Sequence, residues 1–430
     1  MKPVWGGACG PDGGATGQTV AKSVLCPAAS FGPFSLKILH LPKWYPNRYD
    51  DQAGDFVERH VAAIASHGGA EGAVLFATVA RGPLRGLVEA EEDFAGPWPT
   101  LRYYYAAAPT GLALLDKPLK LLLYYWCLAR GYRRLRRHWG GQAPALVHVH
   151  VLLRTGLAAW ALRALRGIPF IVTEHWTLYL PPRAAGIGWL RRALTRAVVR
   201  RAAALHTVSA NLGGALAALG AVNTRRVVIP NVVDTELFHP SAPGAAPLGP
   251  VLLHVAAFNE AAKNLCGLLR VVAGLRARIP GLRLRIAGYG SDEVLVRQQA
   301  AALGLLADGT AVFLGKLDHP AVADEMRRAA GFVLFSNLEN LPCVLIEAQA
   351  SGLPAVATRV GGTPELLPDN GRCGQLVPVG DEPALAAALV RLLATEYDGA
   401  ALRAHAVARF GVAAVGGAFG ELYRQVLAGK

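Results

Sequence analysis

From Ser35 onward the chain alternates short, unbroken Val/Ile/Leu runs with longer amphipathic stretches, and no other feature narrows its possible folds as much. LKILHL (36–41), GAVLFATV (72–79), ALVHVHV (145–151), IPFIVTEH (168–175), AALHTVSA (203–210) and RRVVIPN (225–231) all have strand length. Several lack the polar alternation of a half-exposed strand, which points to a parallel sheet covered by helices on both faces. One such helix is expected near 53–67, in AGDFVERHVAAIASH. The pattern breaks at HPSAPGAAPLGP (239–250), whose four prolines and small residues read as an interdomain linker. It restarts with VLLHVAAF (251–258), LRLRIAGYG (282–290), AVFLG (311–315), GFVLFSN (331–337), PAVATRVGG (354–362) and GQLVPV (374–379), and helices are expected from about Asn264 and Glu382.

The expected class is therefore α/β: two Rossmann-like, doubly wound parallel-sheet domains in tandem, with ligand in the cleft at the strands' carboxyl ends. The expected division is a loose tail at 1–34, an N-terminal domain at 35–240 and a C-terminal domain at 250–410. A last helix at 411–430 could return to the N-terminal domain. Length agrees, since 430 residues exceed what one core of at most about 300 residues accommodates. With 53% hydrophobic and 17% charged residues, disordered and collagen-like classes are excluded. No apolar run reaches the ~18 residues of a spanning helix. The six cysteines, Cys9, Cys26, Cys127, Cys266, Cys343 and Cys373, have no metal-ligand spacing and read as reduced thiols. GGATGQT (13–19) lacks the Lys and the preceding strand of a phosphate loop.

Chemistry concentrates between Phe332 and Leu367. Strand FVLFS runs into the loop NLENLP and then the helix CVLIEAQASG, with Pro342 expected in the first helical turn. Helix N-termini attract anions, phosphate above all. Glu347 lies eight residues after Glu339, just over one turn into this helix, and its acceptor-only carboxylate suits a pair of sugar or ribose hydroxyls. The next strand ends in GGTPELL, where Gly361 and Gly362 permit close backbone approach and Thr363 can start a second helix aimed at the same place.

The run ENLPCVLIEAQASGLPAVATRVGGTPELL resembles the signature of glycosyltransferase family 4, whose members have the GT-B fold and are retaining, metal-independent enzymes using nucleotide-activated sugars. LPKWYPNRYDDQAGDFVERH (41–60), VVIPNVVDTELF (227–238) and VAAFNEAAKN (255–264) are similar to further motifs of that family, so the likeness covers about residues 36–380. It implies that Lys263 pairs with the donor diphosphate and Glu347 binds the nucleotide ribose. Glu339 would lie beside the transferred sugar, with the main-chain N–H groups of Asn340 and Leu341 near its hydroxyls. Gly361, Gly362 and Thr363 would complete the donor site, and Gly54 would let backbone approach the acceptor or the phosphate. His150 would be the active-site histidine, with His148 and His175 as further cleft residues. A satisfied core histidine is the competing reading of a strand HVH. Two departures stand out: the Arg that often precedes the Lys is replaced by Ala256–Ala257–Phe258, and Asn-Gly-Val-Asp has become Asn231–Val232–Val233–Asp234.

No metal-binding spacing or D-x-D motif is present, so no metal and no cofactor are expected. The partners expected are a nucleotide-sugar and a glycan or lipid-linked acceptor, in the synthesis of a cell-surface polysaccharide or glycolipid. The excess of 44 basic over 30 acidic residues, +14, calls for an anionic partner. KPLKLLLYYWCLARGYRRLRRHW (117–139) and WLRRALTRAVVRRAA (189–203) read as basic amphipathic helices that rest on an anionic membrane or, alternatively, pack on the sheet with a solvated face. A cytoplasmic protein, peripheral on the inner face of the plasma membrane, is the expectation. Nucleic acid is not expected, since no recognition motif occurs. A dinucleotide enzyme is disfavoured because GYGSDE (288–293) lacks the third glycine of its fingerprint. A catalytically silent relative acting as a scaffold remains the alternative.

Overall fold

A computed structural model describes residues 36–181, 183–241, 249–368 and 371–429. The stretch 13–19, Cys9, Cys26 and most of the segment 239–250 lie outside them, while Cys127, Cys266, Cys343 and Cys373 are free thiols.

The N-terminal domain runs β1 (Leu36–Pro42), α1 (Asp55–His67), β2 (Ala70–Val79), β3 (Val88–Asp93), β4 (Thr100–Tyr105), α2 (Ala113–His138), β5 (Leu146–His150), α3 (Arg154–Arg166), β6 (Phe170–Glu174), α4 (Trp189–Arg201), β7 (Ala204–Thr207), α5 (Ala210–Ala218) and β8 (Arg226–Val228). Its sheet has the order β3-β4-β2-β1-β5-β6-β7-β8. All pairs are parallel except β3 with β4, an antiparallel edge on an otherwise parallel sheet. β3 and β4 went unforeseen. VEAEED carries four acids, which suits an exposed edge strand that must resist pairing with other chains, but it offers no apolar run to read.

The second domain runs β9 (Val251–Val255), α6 (Glu260–Lys263), α7 (Leu265–Leu275), β10 (Arg283–Ala287), α8 (Glu293–Ala302), β11 (Ala311–Gly315), α9 (His319–Arg328), β12 (Gly331–Leu334), α10 (Cys343–Ala350), β13 (Ala355–Thr358), α11 (Thr363–Leu366), β14 (Gly374–Val377) and α12 (Glu382–Ala394). Its all-parallel order, β11-β10-β9-β12-β13-β14, is the doubly wound 3-2-1-4-5-6 arrangement. α13 (Gly399–Phe410) packs on α10, and α14 (Val412–Ala428) crosses back onto α1. There Phe419, Leu422, Tyr423 and Val426 share one core with Ile38, Ile64, Leu146 and Ile171. Each such side chain, once buried, contributes about 1.5–3 kcal/mol. No helix among the described residues is long and apolar enough to cross a membrane.

Polar contacts tie the domains together at the strands' carboxyl ends. Asn231 donates to the Leu341 carbonyl at 2.7 Å, and Ser209 donates to the Asn340 side-chain oxygen at 2.8 Å. The Glu365 carboxylate accepts the N–H groups of Ala210 and Asn211, at the start of α5, at 2.8 and 2.9 Å. A carboxylate at a helix N-terminus is favoured by both hydrogen bonding and the helix dipole.

Candidate active site

A cavity of about 410 Å³ lies between the domains, lined by Asp55 and Arg59 from one side and by Lys263, His319, Glu339 and Glu347, among others, from the other. Glu339 is placed by the loop after β12, and Glu347 by the second turn of α10. Pro342 was expected inside the first turn but instead caps α10 from outside, with extended backbone (φ −69°, ψ 117°). Lys263 ends the single turn of α6, which is stopped by Asn264 in left-handed conformation (φ 48°). Lys263 Nζ then reaches Glu339 Oε1 at 2.5 Å, and the Ser336 hydroxyl donates to the same oxygen at 2.8 Å.

The other carboxylate is paired across the cleft. Arg59 donates to Glu347 Oε1 at 2.6 Å and to Asp55 Oδ2 at 2.7 Å, and its Nη2 lies 2.6 Å from His319 Nε2. Burial works against the Arg59 charge, but Glu347 and Asp55 outweigh it and raise its pKa. Burial would likewise raise Asp55, yet the His319 hydrogen bond and the Arg59 charge hold it below the usual carboxylate range. Lys316 bonds Asp51 at 2.5 Å nearby, which closes a second bridge between domains. Arg59, Asp55, His319 and Lys316 were not foreseen. Arg59 stands inside the helix VERH, but its partner Glu347 is 288 positions away, a relation that local spacing does not carry.

Other expected donor residues shape the site from behind it. A Cβ on Gly361 (φ 57°) would sit 1.9 Å from the Glu339 carbonyl oxygen, so this glycine admits the 339–340 loop rather than a ligand. Gly362 N–H donates to the Asn340 carbonyl at 2.6 Å, and the Thr363 hydroxyl donates to the Thr358 carbonyl at 2.6 Å. Asn340 donates through its side chain to the His175 carbonyl at 3.0 Å, and Leu341 is buried. None of these five lines the cavity. Gly54 caps α1 at φ 72°, where a Cβ would lie 2.5 Å from Trp44 backbone, so it too serves a chain-to-chain approach.

The histidines correct the expectation most. His148, His150 and His175 are buried, and none lines the cavity. They belong to a core group with His40, His60 and His206. His148 hydrogen-bonds the Tyr423 hydroxyl (2.7 Å) and the Thr173 hydroxyl (2.6 Å), and His150 Nε2 meets His40 Nδ1 at 3.1 Å. Thr173 passes the network on to His206 at 2.8 Å. Ring nitrogens of His40, His148 and His150 converge within 4.8 Å, as a metal would require. Both nitrogens of His148 are already taken, however, which leaves two ligands rather than the three or four of a zinc site.

Behind His150 the chain turns through two unusual non-glycine residues, Val151 (φ 69°) and Leu153 (φ 86°). Glu174 pins that turn by accepting the N–H groups of Leu152 (2.8 Å), His175 (2.8 Å) and Trp176 (2.7 Å), and burial pushes its carboxyl up to about 7. Lys43 lies 3.2 Å above the Trp176 ring centre, and burial lowers it to about 8.

Residues 249–395 match the family described as Glycosyl transferases group 1, and residues 56–232 match the Glycosyl transferase 4-like domain. A putative glycosyltransferase, EpsF, of Bacillus subtilis is 34% identical over 225 residues, covering 49% of this chain and 56% of that protein. The phosphatidyl-myo-inositol mannosyltransferase of Mycobacterium leprae is 31% identical over 252 residues, covering 58% and 64%. The chain thus spans less than two thirds of the length of these curated relatives. Among solved structures, sucrose-phosphate synthase from Thermosynechococcus elongatus superposes with a TM-score of 0.68 at 23% identity, covering 92% of this chain and 100% of the other. The Anabaena protein HepE, solved in complex with UDP, gives 0.68 at 18% identity, covering 91% and 100%.

Proposed function

The chain belongs to the group 1 glycosyl transferases, with their two-domain GT-B fold, and we propose that it moves a sugar from a nucleotide-sugar to a glycan or lipid-linked acceptor, retaining the anomeric configuration and using no metal ion. The observation that carries this reading is the cleft itself: Lys263, Glu339 and Glu347 lining one cavity between two doubly wound domains.

In the cleft each of these carboxylates is paired with a cation, Glu339 with Lys263 and Glu347 with Arg59. A donor diphosphate competes for Lys263 and so frees Glu339 to accept sugar hydroxyls. Ribose hydroxyls donate to Glu347 in the same exchange, and Arg59 keeps Asp55 and His319 as partners. Transfer then proceeds on one face of the sugar. The bond from the anomeric carbon to the phosphate oxygen breaks, the acceptor's hydroxyl oxygen bonds to that carbon from the same face, and the departing phosphate oxygen takes the acceptor's proton under the charge of Lys263. This is electrostatic preorganisation more than side-chain acid–base chemistry. His150 acts through its packing, because it is buried beneath the cleft.

In this reading the protein is cytoplasmic and peripheral on an anionic membrane, and no nucleic acid takes part. α2 supports the membrane contact. Leu115, Leu122 and Trp126 are 53%, 66% and 48% exposed, and Arg130, Arg133 and Arg137 continue the same helical face. Exposed apolar and cationic residues on one face suit an anionic bilayer interface. Trp189, at the start of α4, is 80% exposed and adds a second apolar contact.

Thermal stabilisation by a panel of UDP-, GDP- and ADP-sugars tests the donor site. A ligand at a hundredfold excess over its Kd adds about 2.7 kcal/mol to apparent stability. One nucleotide class should stabilise the protein and lose its effect in Glu347→Ala. Stabilisation by none, or by NAD alone, overturns the reading.

A further inference from the structure

On the face of the N-terminal sheet away from α1, α2 rests on β2 and β4, while α3 rests on β5 and β6. β1 runs between β2 and β5, so the gap between the two helices opens directly over it. Gly131 holds α2 down at the β2 side: a Cβ there would be 2.2 Å from Leu75 Cδ1. The result is a cavity of about 520 Å³ whose floor is Leu39, Leu41 and Leu75, with Leu128 and Leu162 in its walls. That volume falls within the roughly 300–1,000 Å³ usual for small-molecule sites. Its lining has no acidic residue, but three arginines: Arg133 and Arg136 from α2 and Arg166 from α3. Arg136 is engaged by the Gly141 carbonyl (2.7 Å), and Arg133 and Arg166 are exposed. Leu165, 78% exposed, belongs to the same lining.

An apolar slot whose only charged lining residues are arginines, with Tyr125 and Tyr132 as its neutral polar groups, is complementary to an amphiphile with an anionic head. We infer that this slot takes one acyl chain of an anionic membrane phospholipid, its phosphate held by Arg133 and Arg166. The inference rests on the membrane contact proposed above, because Arg133 belongs to the α2 face assigned to the bilayer. It adds a saturable, one-to-one lipid site, separate from the sugar-transfer cleft, which shares none of the lining residues. The aliphatic floor selects the chain, and the arginines select the head charge.

The test uses the full chain and a monomeric probe, lysophosphatidylglycerol below its micelle concentration, titrated by calorimetry. One-to-one binding is expected, at least tenfold tighter than for a monoacylglycerol of the same chain length. Ala161→Trp, which fills the slot from an exposed helix position, should weaken binding tenfold or more. Arg133→Gln with Arg166→Gln should remove the preference for the charged probe. Circular dichroism and unchanged stabilisation by the nucleotide-sugar verify that both variants fold. No saturable binding, equal binding by Ala161→Trp, or tighter binding of a free fatty acid overturns the inference. Flotation with phosphatidylglycerol vesicles separates the two readings. Flotation without lysolipid binding leaves the membrane contact standing and the slot refuted, and lysolipid binding without flotation does the reverse.

Discussion

Six histidines packed into one core make the N-terminal domain sensitive to mild acid. His40, His60, His148, His150 and His206 have no exposed surface, and His175 has 9%. Burial lowers His40 and His206 to about 3 and His60 to about 4, and it holds His148, His150 and His175 well below 6.5. In the unfolded chain each titrates near 6.5. A depressed folded pKa means that stability is full above about pH 6.5 and is lost as pH falls below it. At pH 5.5 each unfolded-state histidine is about nine-tenths protonated, which favours unfolding by about 1.3 kcal/mol per ring that stays neutral in the folded state, or about 4 kcal/mol for His40, His60 and His206 together, with His148, His150 and His175 acting in the same direction. Glu174 opposes this. With its folded pKa raised to about 7, it takes up a proton in the folded state over the same interval and returns about 2 kcal/mol. The net loss between pH 7 and 5.5 is therefore at least about 2 kcal/mol, against a total stability of about 5–15 kcal/mol for a typical domain. Urea denaturation at closely spaced pH values should show the N-terminal transition binding at least about two protons near pH 5.5. His206→Asn should lower that number by about one. A stability flat to within about 1 kcal/mol from pH 7 to 5.5, or folded-state histidine ring resonances titrating above pH 5.5, would refute the reasoning.

Three substitutions probe the cleft. Lys263→Met should lower kcat by about 100-fold or more with a smaller change in KM, as expected when charge developing on the leaving phosphate loses its partner, and an unchanged kcat would assign the lysine to ground-state binding alone. Arg59→Ala strands Glu347, whose side chain is 3% exposed, and should destabilise the donor-free protein by roughly 3–5 kcal/mol. Calorimetry with and without the nucleotide-sugar should find part of that loss recovered, because ribose hydroxyls then satisfy the carboxylate. Gly361→Ala forces a Cβ against the Glu339 carbonyl and should weaken donor binding by at least tenfold while leaving the far-UV spectrum intact. Normal thermal stabilisation in that variant would show that the Glu339 loop has other ways to settle.

What the sequence discloses depends on the range over which its constraints act. Most strands reveal themselves as short apolar runs, so twelve of the fourteen among the described residues stand out, even β8, whose residues are exposed or half-buried. The edge hairpin β3–β4 does not: β3 is acidic and largely exposed, and β4, though buried, carries Arg102 and three tyrosines in place of an aliphatic run. Glu339 and Glu347 are legible for a related reason: both sit in a short segment whose proline and helix start fix it locally, whereas Lys263 is reached through the family resemblance of VAAFNEAAKN. Arg59 is equally part of the cleft, yet nothing near it says so. Its function comes from a partner on the other domain, and a helix reads the same whether its arginine meets water or a carboxylate. The histidines carry the same lesson with the opposite sign. The family resemblance placed His150 in the cleft, whereas the strand HVH read by itself favours a core histidine. The structure instead buries it under a turn pinned by Glu174 and against His40, with His148 held by Tyr423 from the last helix. That helix comes from beyond the second domain, so the same crossing that completes the first domain's core also turns its histidines inward. A residue's chemistry can be read from its own segment only when no distant segment competes for it, and in this fold the domain-crossing contacts fall where the chemistry is.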